Sequence, residues 1–285
     1  MKPLFMWAGG KKKMLKKYNT YLPEAFSTYV EPFLGGGAMF VWAYQKNPDA
    51  LFVLNDTNKG IMSIYNSIRN DVENFTIYMD DMSQRYMPLK KEDRKKFYYD
   101  LREEHAFNYK KWSKTQEAAV LYFLMKTCFN GIWQVNKNTN NRFGTPSGLL
   151  SQKKKVYDKN NVLEWNKALQ RCLLLTESFE KTAQYCGKGS YVFLDPPYRG
   201  TFTHYGTDFD DKLQESVISF MNASNSRGAY VMLSNRDIGD NFFKDRKGQH
   251  ELVYFNVTYT AGRRKRNQDG THSAKKAREV LIIAK

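Results

Sequence analysis

Apolar and polar positions along the first part of the chain alternate in a way that predicts strands followed by helices. The apolar run at 28–33 breaks into three glycines, and residues 38–43 then continue as a buried helix. A second apolar run, at 51–54, precedes residues spaced like one face of a helix: Ile61, Ile64, Tyr65 and Ile68. Residues 1–70 are therefore predicted to form a β-α-β-α unit.

The middle of the chain, from about 71 to 160, is lysine-rich and aromatic, and it shows helical patches in place of this alternation. Ser113 followed by Gln116 is a capping box, which predicts a helix over the apolar residues 118–124. Continuously apolar runs, typical of strands covered by helices on both faces, then follow at 172–175, 191–194, 230–233, 252–255 and 280–283.

The combined pattern predicts an α/β fold, in which a doubly wound, Rossmann-like sheet carries an inserted, mainly helical domain. We place the sheet in a discontinuous domain formed by 1–57 and 161–285, and the insert at 58–160. The insert then lies between the second and third predicted strands.

The composition adds a strong positive charge to this picture. The chain has 45 lysines and arginines against 29 aspartates and glutamates, a net charge of +16, and 15% of its 285 residues are aromatic. Lysines and arginines near phosphates release condensed counterions, so a folded protein with this excess is expected to face a polyanion such as nucleic acid. A basic surface kept only for solubility is the alternative.

Other features of the chain predict a soluble protein of the reducing cytoplasm. The sequence has no stretch of about 18 apolar residues, and its N-terminus lacks the apolar region of a signal peptide. Cys128, Cys172 and Cys186 include no C-x-x-C pair and fit neither a disulfide framework nor a structural zinc site. The four histidines are scattered, so we expect no metal site and no histidine-based catalytic pair.

The glycines after the first predicted strand indicate a ligand site. Gly35, Gly36 and Gly37 open the first helix, where the backbone can approach a ligand closely, and Asp56 follows the next strand. A carboxylate at that strand end can accept hydrogen bonds from both hydroxyls of a ribose, so a nucleoside-containing cofactor fits. A tight structural turn is the alternative for the glycines, and capping of the following helix is the alternative for Asp56.

A second candidate site is the tetrapeptide Asp195-Pro196-Pro197-Tyr198, directly after the run at 191–194. It lies at the carboxyl end of a predicted strand, where open α/β sheets bind ligands. The prolines remove two backbone donors, so we expect the local carbonyls to be free acceptors. A carboxylate, a carbonyl and an aromatic face suit an exocyclic amine on a stacked base. An acidic proline turn is the alternative.

These residues, in this order, resemble the Dam-type DNA adenine-N6 methyltransferases over nearly the whole chain. The similar segments are 7–11 for the N-terminal cofactor motif, 31–37 for the glycine motif, 54–58 for the acidic strand end and 195–198 for the catalytic tetrapeptide. The resemblance implies a methyltransferase sheet that binds S-adenosylmethionine, with catalytic positions Asp195, Pro196, Pro197 and Tyr198. The cofactor contacts that it implies are Trp7, Lys11, Phe33, Gly35, Gly37, Asp56, Ser178, Phe179 and Asp195.

The insert resembles the target-recognition region of the same family, with a hairpin-like segment at 130–136 and 142–148. Gln134 stands where GATC-specific members usually carry a basic residue, and glutamine more often pairs with adenine whereas arginine pairs with guanine. We therefore expect methylation in GATC or in a relaxed or variant site. The implied DNA contacts of this region are Asn130, Trp133, Gln134, Asn136, Lys137 and Arg142.

A basic tract near the C-terminus lies between two strand-like runs, which predicts a charged hairpin tip that contacts phosphates. Its candidate DNA contacts are Arg263, Arg264 and Arg266, and a solvated loop is the alternative. His204 and Tyr205, which follow the tetrapeptide, are expected in a lid over the target base.

The sequence thus predicts an enzyme that uses S-adenosylmethionine and no metal to methylate the N6 amine of adenine in double-stranded DNA, with the base swung out of the stack. Asp195 is expected to accept and position the amine, since an aspartate of pKa about 4 is too weak a base to deprotonate it beforehand. We expect no membrane association and no obligate protein partner. The alternatives are a DNA-binding regulator of the same fold without turnover, and an RNA adenine or cytosine-N4 methyltransferase.

Overall fold

A seven-stranded sheet forms the centre of the protein in a computed structural model, which describes residues 1–7, 9–148, 155–200, 209–259, 265–266, 272–273 and 275–285. The strands of the described residues are β1 (Thr28–Glu31), β2 (Leu51–Asn55), β3 (Val135–Asn136), β4 (Arg142–Phe143), β5 (Cys172–Leu175), β6 (Ser190–Leu194), β7 (Tyr230–Asp237), β8 (Glu251–Tyr259), β9 (Lys265–Arg266), β10 (His272–Ser273) and β11 (Lys275–Ala284). All seven runs predicted as strands belong to the sheet, so the strand predictions are confirmed.

The order of the strands creates a crevice at one edge of the sheet. The sheet runs β5-β2-β1-β6-β7-β11-β8, with the first five strands parallel and β11 antiparallel to both of its neighbours. The chain builds outward from β1 to β2 and β5 on one side, and then from β6 to β7 on the other. The reversal between β1 and β6 is a topological switch point, so the loops that follow these two strands flank a crevice at their carboxyl ends.

Helices cover the sheet and form most of the segment between β2 and β5. The α-helices of the described ranges are α1 (Leu15–Tyr18), α2 (Ala38–Lys46), α3 (Lys59–Asn70), α4 (Val72–Tyr86), α5 (Lys91–Phe107), α6 (Lys114–Thr127), α7 (Lys159–Leu169), α8 (Asp211–Ser226) and α9 (Phe242–Arg246). The predicted start of α6 is confirmed, because the Ser113 hydroxyl accepts from the Gln116 N–H at 3.1 Å. None of these helices is long and apolar enough to cross a membrane.

The core has two hydrophobic clusters, one on each face of the sheet. Successive strand residues point to opposite faces, so Tyr29 lies in one cluster and Val30 in the other. Burial on both faces explains why the strands are continuously apolar. The larger cluster extends from Phe52 of β2 into Phe123 of α6, which means that the predicted insert shares its core with the sheet. The domain boundaries proposed from the sequence stay a prediction.

Candidate active site

Asp195, at the carboxyl end of β6, forms an ion pair with a lysine from the N-terminal segment. The Lys11 Nζ donates to Asp195 Oδ2 at 2.7 Å and to the Gly9 carbonyl at 2.6 Å. The Lys11 side chain is only 2% exposed, so the pair is largely removed from water. Two residues 184 positions apart in sequence are thereby joined at the crevice.

The second oxygen of this carboxylate has no hydrogen-bond donor among the described residues. Asp195 Oδ1 is buried and receives no hydrogen bond from the described part of the chain. A buried acceptor without a donor is unfavourable, so this atom marks a place where an N–H of a ligand fits. Burial raises the pKa of Asp195 to about 6, although the Lys11 charge acts to lower it. This value exceeds the ordinary aspartate pKa expected from the sequence, because the sequence alone did not show the burial.

Lys11 keeps its positive charge within the site. Burial lowers the pKa of Lys11, but the nearby Asp195, Tyr18 and Glu279 outweigh it and the net shift is upward. The ammonium lies 4.8 Å from the ring centroid of Tyr198, within range of a cation–π interaction. One lysine thus orients both the carboxylate and the aromatic ring of the tetrapeptide.

The backbone of the tetrapeptide is fixed by two buried amide side chains. Gln214 Nε2 of α8 donates to the Pro197 carbonyl at 2.7 Å, and Asn235 Oδ1 of β7 accepts from the Arg199 N–H at 3.1 Å. The expectation of free local carbonyls is therefore wrong for Pro197, because the fold uses that acceptor. The Pro196 carbonyl has no donor among the described hydrogen bonds, so it remains available to a ligand.

The glycine turn after β1 serves the packing of two tryptophans. Gly35 has φ +48° and Gly37 has φ +66°, backbone conformations that side chains rarely tolerate. A Cβ on Gly35 would lie 2.6 Å from Trp7 Nε1, and one on Gly37 would lie 2.6 Å from the Trp165 ring. These glycines therefore have a structural role. A ligand can bind there as well, since Gly37 is the N-cap of α2 and the N-terminus of a helix attracts polar ligand groups.

Asp56 links this turn to the end of β2. Its Oδ2 accepts from the Gly35 N–H and its Oδ1 from the Asn58 N–H, each at 2.9 Å. The cap of α3 is Asn58, whose side chain accepts from Gly60 and Ile61, so the capping alternative for Asp56 is wrong. Burial raises the pKa of Asp56, and its two backbone donors oppose that shift. Each carboxylate oxygen keeps a further lone pair for a ligand hydroxyl.

Asn55, which sequence reasoning missed, ties the loops after β1 and β5 together. Its side-chain amide donates to the Pro32 and Glu177 carbonyls at 2.9 Å and accepts from the Glu177 N–H at 3.0 Å. The residue is fully buried. A polar side chain ending an apolar run was the signal that could have identified it, because such a residue sits at the carboxyl edge of the sheet.

An aromatic pair flanks the same edge of the sheet. The Phe33 and Phe179 ring centroids are 5.4 Å apart at an interplanar angle of 32°, and Phe209 approaches Phe33 edge-on at 6.1 Å. Ser178 directly precedes Phe179 in sequence, and its hydroxyl donates to the Glu180 carboxylate. The structure therefore brings the predicted cofactor residues 33, 35, 56 and 178–179 to the carboxyl ends of β1, β2 and β5.

The predicted recognition hairpin forms as β3 paired with β4. Asn130 lies before it with φ +54°, and the side chains of Asn130, Asn136 and Lys137 are exposed. Gln134 is half-buried, and its carbonyl accepts from the Gly144 N–H at 2.7 Å. These polar side chains are accessible to a partner that docks on the hairpin.

Trp133 and Arg142, also predicted to contact DNA, make contacts within the protein. Trp133 is 9% exposed, and its ring packs 6.3 Å from Trp7. The Arg142 guanidinium pairs with the Glu117 carboxylate and stacks 3.6 Å from the Tyr109 ring centroid. Trp133 thus connects the hairpin to Trp7, which packs against the glycine turn. DNA contact by Trp133 and by Arg142 stays a prediction.

The structure says little about the remaining residues that were predicted to belong to the site. Arg263, Arg264, His204 and Tyr205 lie outside the described residues, and Arg266 is known only as part of β9, where it pairs with β10. Within the described ranges no group of three or more histidines, cysteines, aspartates or glutamates could hold a metal ion.

Comparison with known proteins shows which family the chain belongs to. The model of the D12 class N6 adenine-specific DNA methyltransferases matches residues 7–270. The chain is 31% identical to the Type II methyltransferase M.MjaIII of Methanocaldococcus jannaschii over 99% of both chains. It is 33% identical to the Type II methyltransferase M.CviBI of Paramecium bursaria Chlorella virus NC1A over 72% of each, and 29% identical to a DNA adenine methylase of Vibrio cholerae over 91% of each. With these matches and an Asp-Pro-Pro-Tyr loop at the switch point of its sheet, the chain belongs to the D12 class N6 adenine-specific DNA methyltransferase family.

Proposed function

We propose that this chain transfers a methyl group from S-adenosylmethionine to the N6 amine of an adenine swung out of double-stranded DNA. The observation that carries the proposal is Asp195 Oδ1, a buried acceptor with no donor in the described chain. The amine of adenine supplies the missing N–H. The reaction of the family therefore agrees with the free acceptor capacity of this buried carboxylate oxygen.

The residues at the ends of β1, β2 and β5 fit the methyl donor. Asp56 keeps lone pairs for two ribose hydroxyls, and the pair formed by Phe33 and Phe179 offers an apolar face to an adenine ring. Lys11, Trp7 and the glycine turn hold the surrounding chain in place. When bound, S-adenosylmethionine supplies a methyl group on a positively charged sulfur, which departs as a neutral thioether.

The tetrapeptide prepares the nitrogen of the amine. Asp195 Oδ1 and the Pro196 carbonyl accept hydrogen bonds from its two N–H groups. These two hydrogen bonds turn the lone pair of the nitrogen away from the ring system. Tyr198 stacks on the base, and Lys11 fixes the carboxylate by holding Oδ2. With a pKa of about 6, Asp195 is a stronger base than an ordinary aspartate, so it can take up the proton that the nitrogen loses.

The recognition hairpin and the basic tract hold the duplex in this proposal. Asn130, Asn136 and Lys137 contact the DNA from exposed positions, and Gln134 contacts a base edge. Arg263, Arg264 and Arg266 contact phosphates. Because Gln134 replaces a guanine-reading basic residue, the modified sequence is GATC within a relaxed set, or a variant of it.

Replacing Asp195 tests the proposal. Asp195→Ala is expected to abolish tritium transfer from the donor to duplex DNA while the duplex dissociation constant stays within about twofold, because phosphate contacts set bulk affinity. The matched control is Asp49→Ala, which removes an exposed aspartate paired with Arg171 and keeps full activity. More than about a tenth of wild-type turnover, a loss under about 1.4 kcal/mol, contradicts the assigned role. Transfer to RNA or to cytosine in place of DNA adenine contradicts the substrate.

A further inference from the structure

The phenol of Tyr198 ends a chain of buried hydroxyl groups. Its Oη lies 3.1 Å from Ser234 Oγ on β7, which lies 2.9 Å from the Tyr18 Oη on α1. Tyr18 also donates to Glu279 Oε2 on β11 at 3.4 Å. Tyr18 and Ser234 are completely buried and Glu279 is 3% exposed, so water is not at hand to replace a missing member.

The bond from Tyr18 to Glu279 sets the direction of the hydroxyl chain. Each hydroxyl has a single hydrogen to donate. Because Tyr18 donates to Glu279, it accepts from Ser234, and Ser234 in turn accepts from Tyr198. The phenol of Tyr198 therefore donates to Ser234 Oγ.

The backbone on both sides of Tyr198 is fixed independently of this chain. Gln214 holds the Pro197 carbonyl, and Asn235 holds the Arg199 N–H and donates to Gln214 Oε1 at 2.9 Å. Ser234 and Asn235 are neighbours on β7, so their side chains point to opposite faces of the sheet. With the backbone clamped, the ring of Tyr198 can move only by rotating about its side-chain bonds. The contact with Ser234 restricts that rotation at the far end of the ring.

We propose that Ser234 is a positioning residue for methyl transfer, which holds the ring of Tyr198 in the orientation that stacks on the extruded adenine. The inference rests on the proposed function, because it takes Tyr198 to be the residue that contacts the base. A ring that is already anchored loses little rotational freedom when the base arrives, and an aligned base keeps its amine against Asp195. Ser234 therefore acts on the rate of transfer and not on DNA affinity.

The test is a double-mutant cycle on single-turnover methylation rates, at saturating duplex and donor. Ser234→Ala and Tyr198→Phe are each expected to lower the rate about three- to tenfold, the effect of losing one hydrogen bond. The double variant is expected to be no slower than the slower single variant, because both changes remove the same contact. Losses that multiply, or a wild-type rate in Ser234→Ala, overturn the proposal.

Further variants separate positioning from folding. Ser190→Ala removes another buried, hydrogen-bonded serine, at the opposite end of β6, and is expected to keep the wild-type rate. Tyr18→Phe keeps the packing of its ring. In a double-mutant cycle with Tyr198→Phe, its effect on the methylation rate is expected to be non-additive, and this cycle serves if Ser234→Ala does not fold.

Tyr198→Ala separates the test of Ser234 from the test of the proposed function. A wild-type rate there contradicts the proposed stacking, whereas a severe loss beside an unaffected Ser234→Ala contradicts only the role of Ser234.

Discussion

The tetrapeptide Asp195–Tyr198, here called the catalytic loop, and the recognition hairpin formed by β3 and β4 differ in how far the polar groups around them are buried. At the loop, Lys11, Gln214 and Asn235 are buried and each is hydrogen-bonded to the tetrapeptide or to its neighbour. At the hairpin, the side chains of Asn136 and Lys137 are exposed. Among the described residues, the loop leaves Asp195 Oδ1 and the Pro196 carbonyl without a donor, whereas the hairpin presents exposed polar side chains.

This difference suits the roles that we propose for the two regions. Methyl transfer needs the amine held within a narrow geometry, which rigid and buried partners provide in advance. Base reading needs side chains that can exchange water for base edges, so these groups stay at the surface. The packing of Trp133 against Trp7 joins the two regions through apolar contact, without sharing their polar groups.

The largest expected effect comes from breaking the buried ion pair of the catalytic loop. Lys11→Met leaves Asp195 without its cation and is expected to lower the stability of the fold by about 3–5 kcal/mol. The Lys11 charge lowers the pKa of Asp195, so its loss moves that pKa above about 6 and shifts the acid limb of the rate profile to higher pH. Thermal unfolding and kcat/KM against pH measure the two effects.

The matched control is Lys16→Met, which removes an exposed lysine of the same N-terminal segment. It is expected to leave both measurements as in the wild type. A Lys11→Met protein with unchanged unfolding temperature and pH profile would show that the loop does not depend on this pair.

A smaller effect is expected at the donor end of the crevice. In the proposed site, Asp56→Ala removes two hydrogen bonds to ribose, each worth about 1.5–3 kcal/mol to a charged acceptor, so donor affinity is expected to fall at least about a hundredfold. Calorimetry of donor binding without DNA measures it. Asn58→Ala is the control, because it removes the cap of α3, with a stability loss of about 1 kcal/mol, while donor affinity is kept. Equal donor affinity in wild type and Asp56→Ala would make Asp56 a purely structural residue.

The smallest effect is expected at the hairpin, and it changes site choice more than rate. Gln134→Arg should sharpen preference for guanine at one position by about 1–3 kcal/mol, roughly five- to 150-fold, with the salt dependence of binding nearly unchanged. Sequencing of modified adenines in DNA from a methylation-deficient host reads out the preference. Asn138→Arg adds the same charge at an exposed neighbouring position and controls for charge alone. A wild-type protein that marks GATC alone contradicts the role given to Gln134.

The sheet could be predicted from sequence because strands buried on both faces must be apolar, and the central strands β1, β2, β6, β7 and β11 have mostly buried apolar residues. The site was located because Asp56 and Asp195 each follow such a run. Ser234 and Asn235 follow the run at 230–233 in the same way, so the same signal could have identified them.

The contacts made across the fold could not be predicted from local pattern. Nothing in the consecutive lysines 11–13 shows that Lys11 is buried, and Gln214 is one polar position of an amphipathic helix. The pairing of Lys11 with Asp195, and of Gln214 with the Pro197 carbonyl, depends on how α8 and the N-terminal segment pack on the sheet. The pKa of Asp195 depends on that packing too, since burial is its largest cause.

The central claim is that ionised Asp195 accepts a hydrogen bond from the target amine, in a site that is formed before DNA binds. The pH dependence of kcat/KM for duplex DNA tests it most directly, at a donor concentration far below its dissociation constant, so that Asp195 titrates without the positively charged donor beside it. Because the ionised form is the active one, the rate is expected to be constant at high pH and to fall tenfold per pH unit below about 6. A rate that stays constant down to pH of about 5 would contradict the claim, since Asp195 is then mostly protonated on this account.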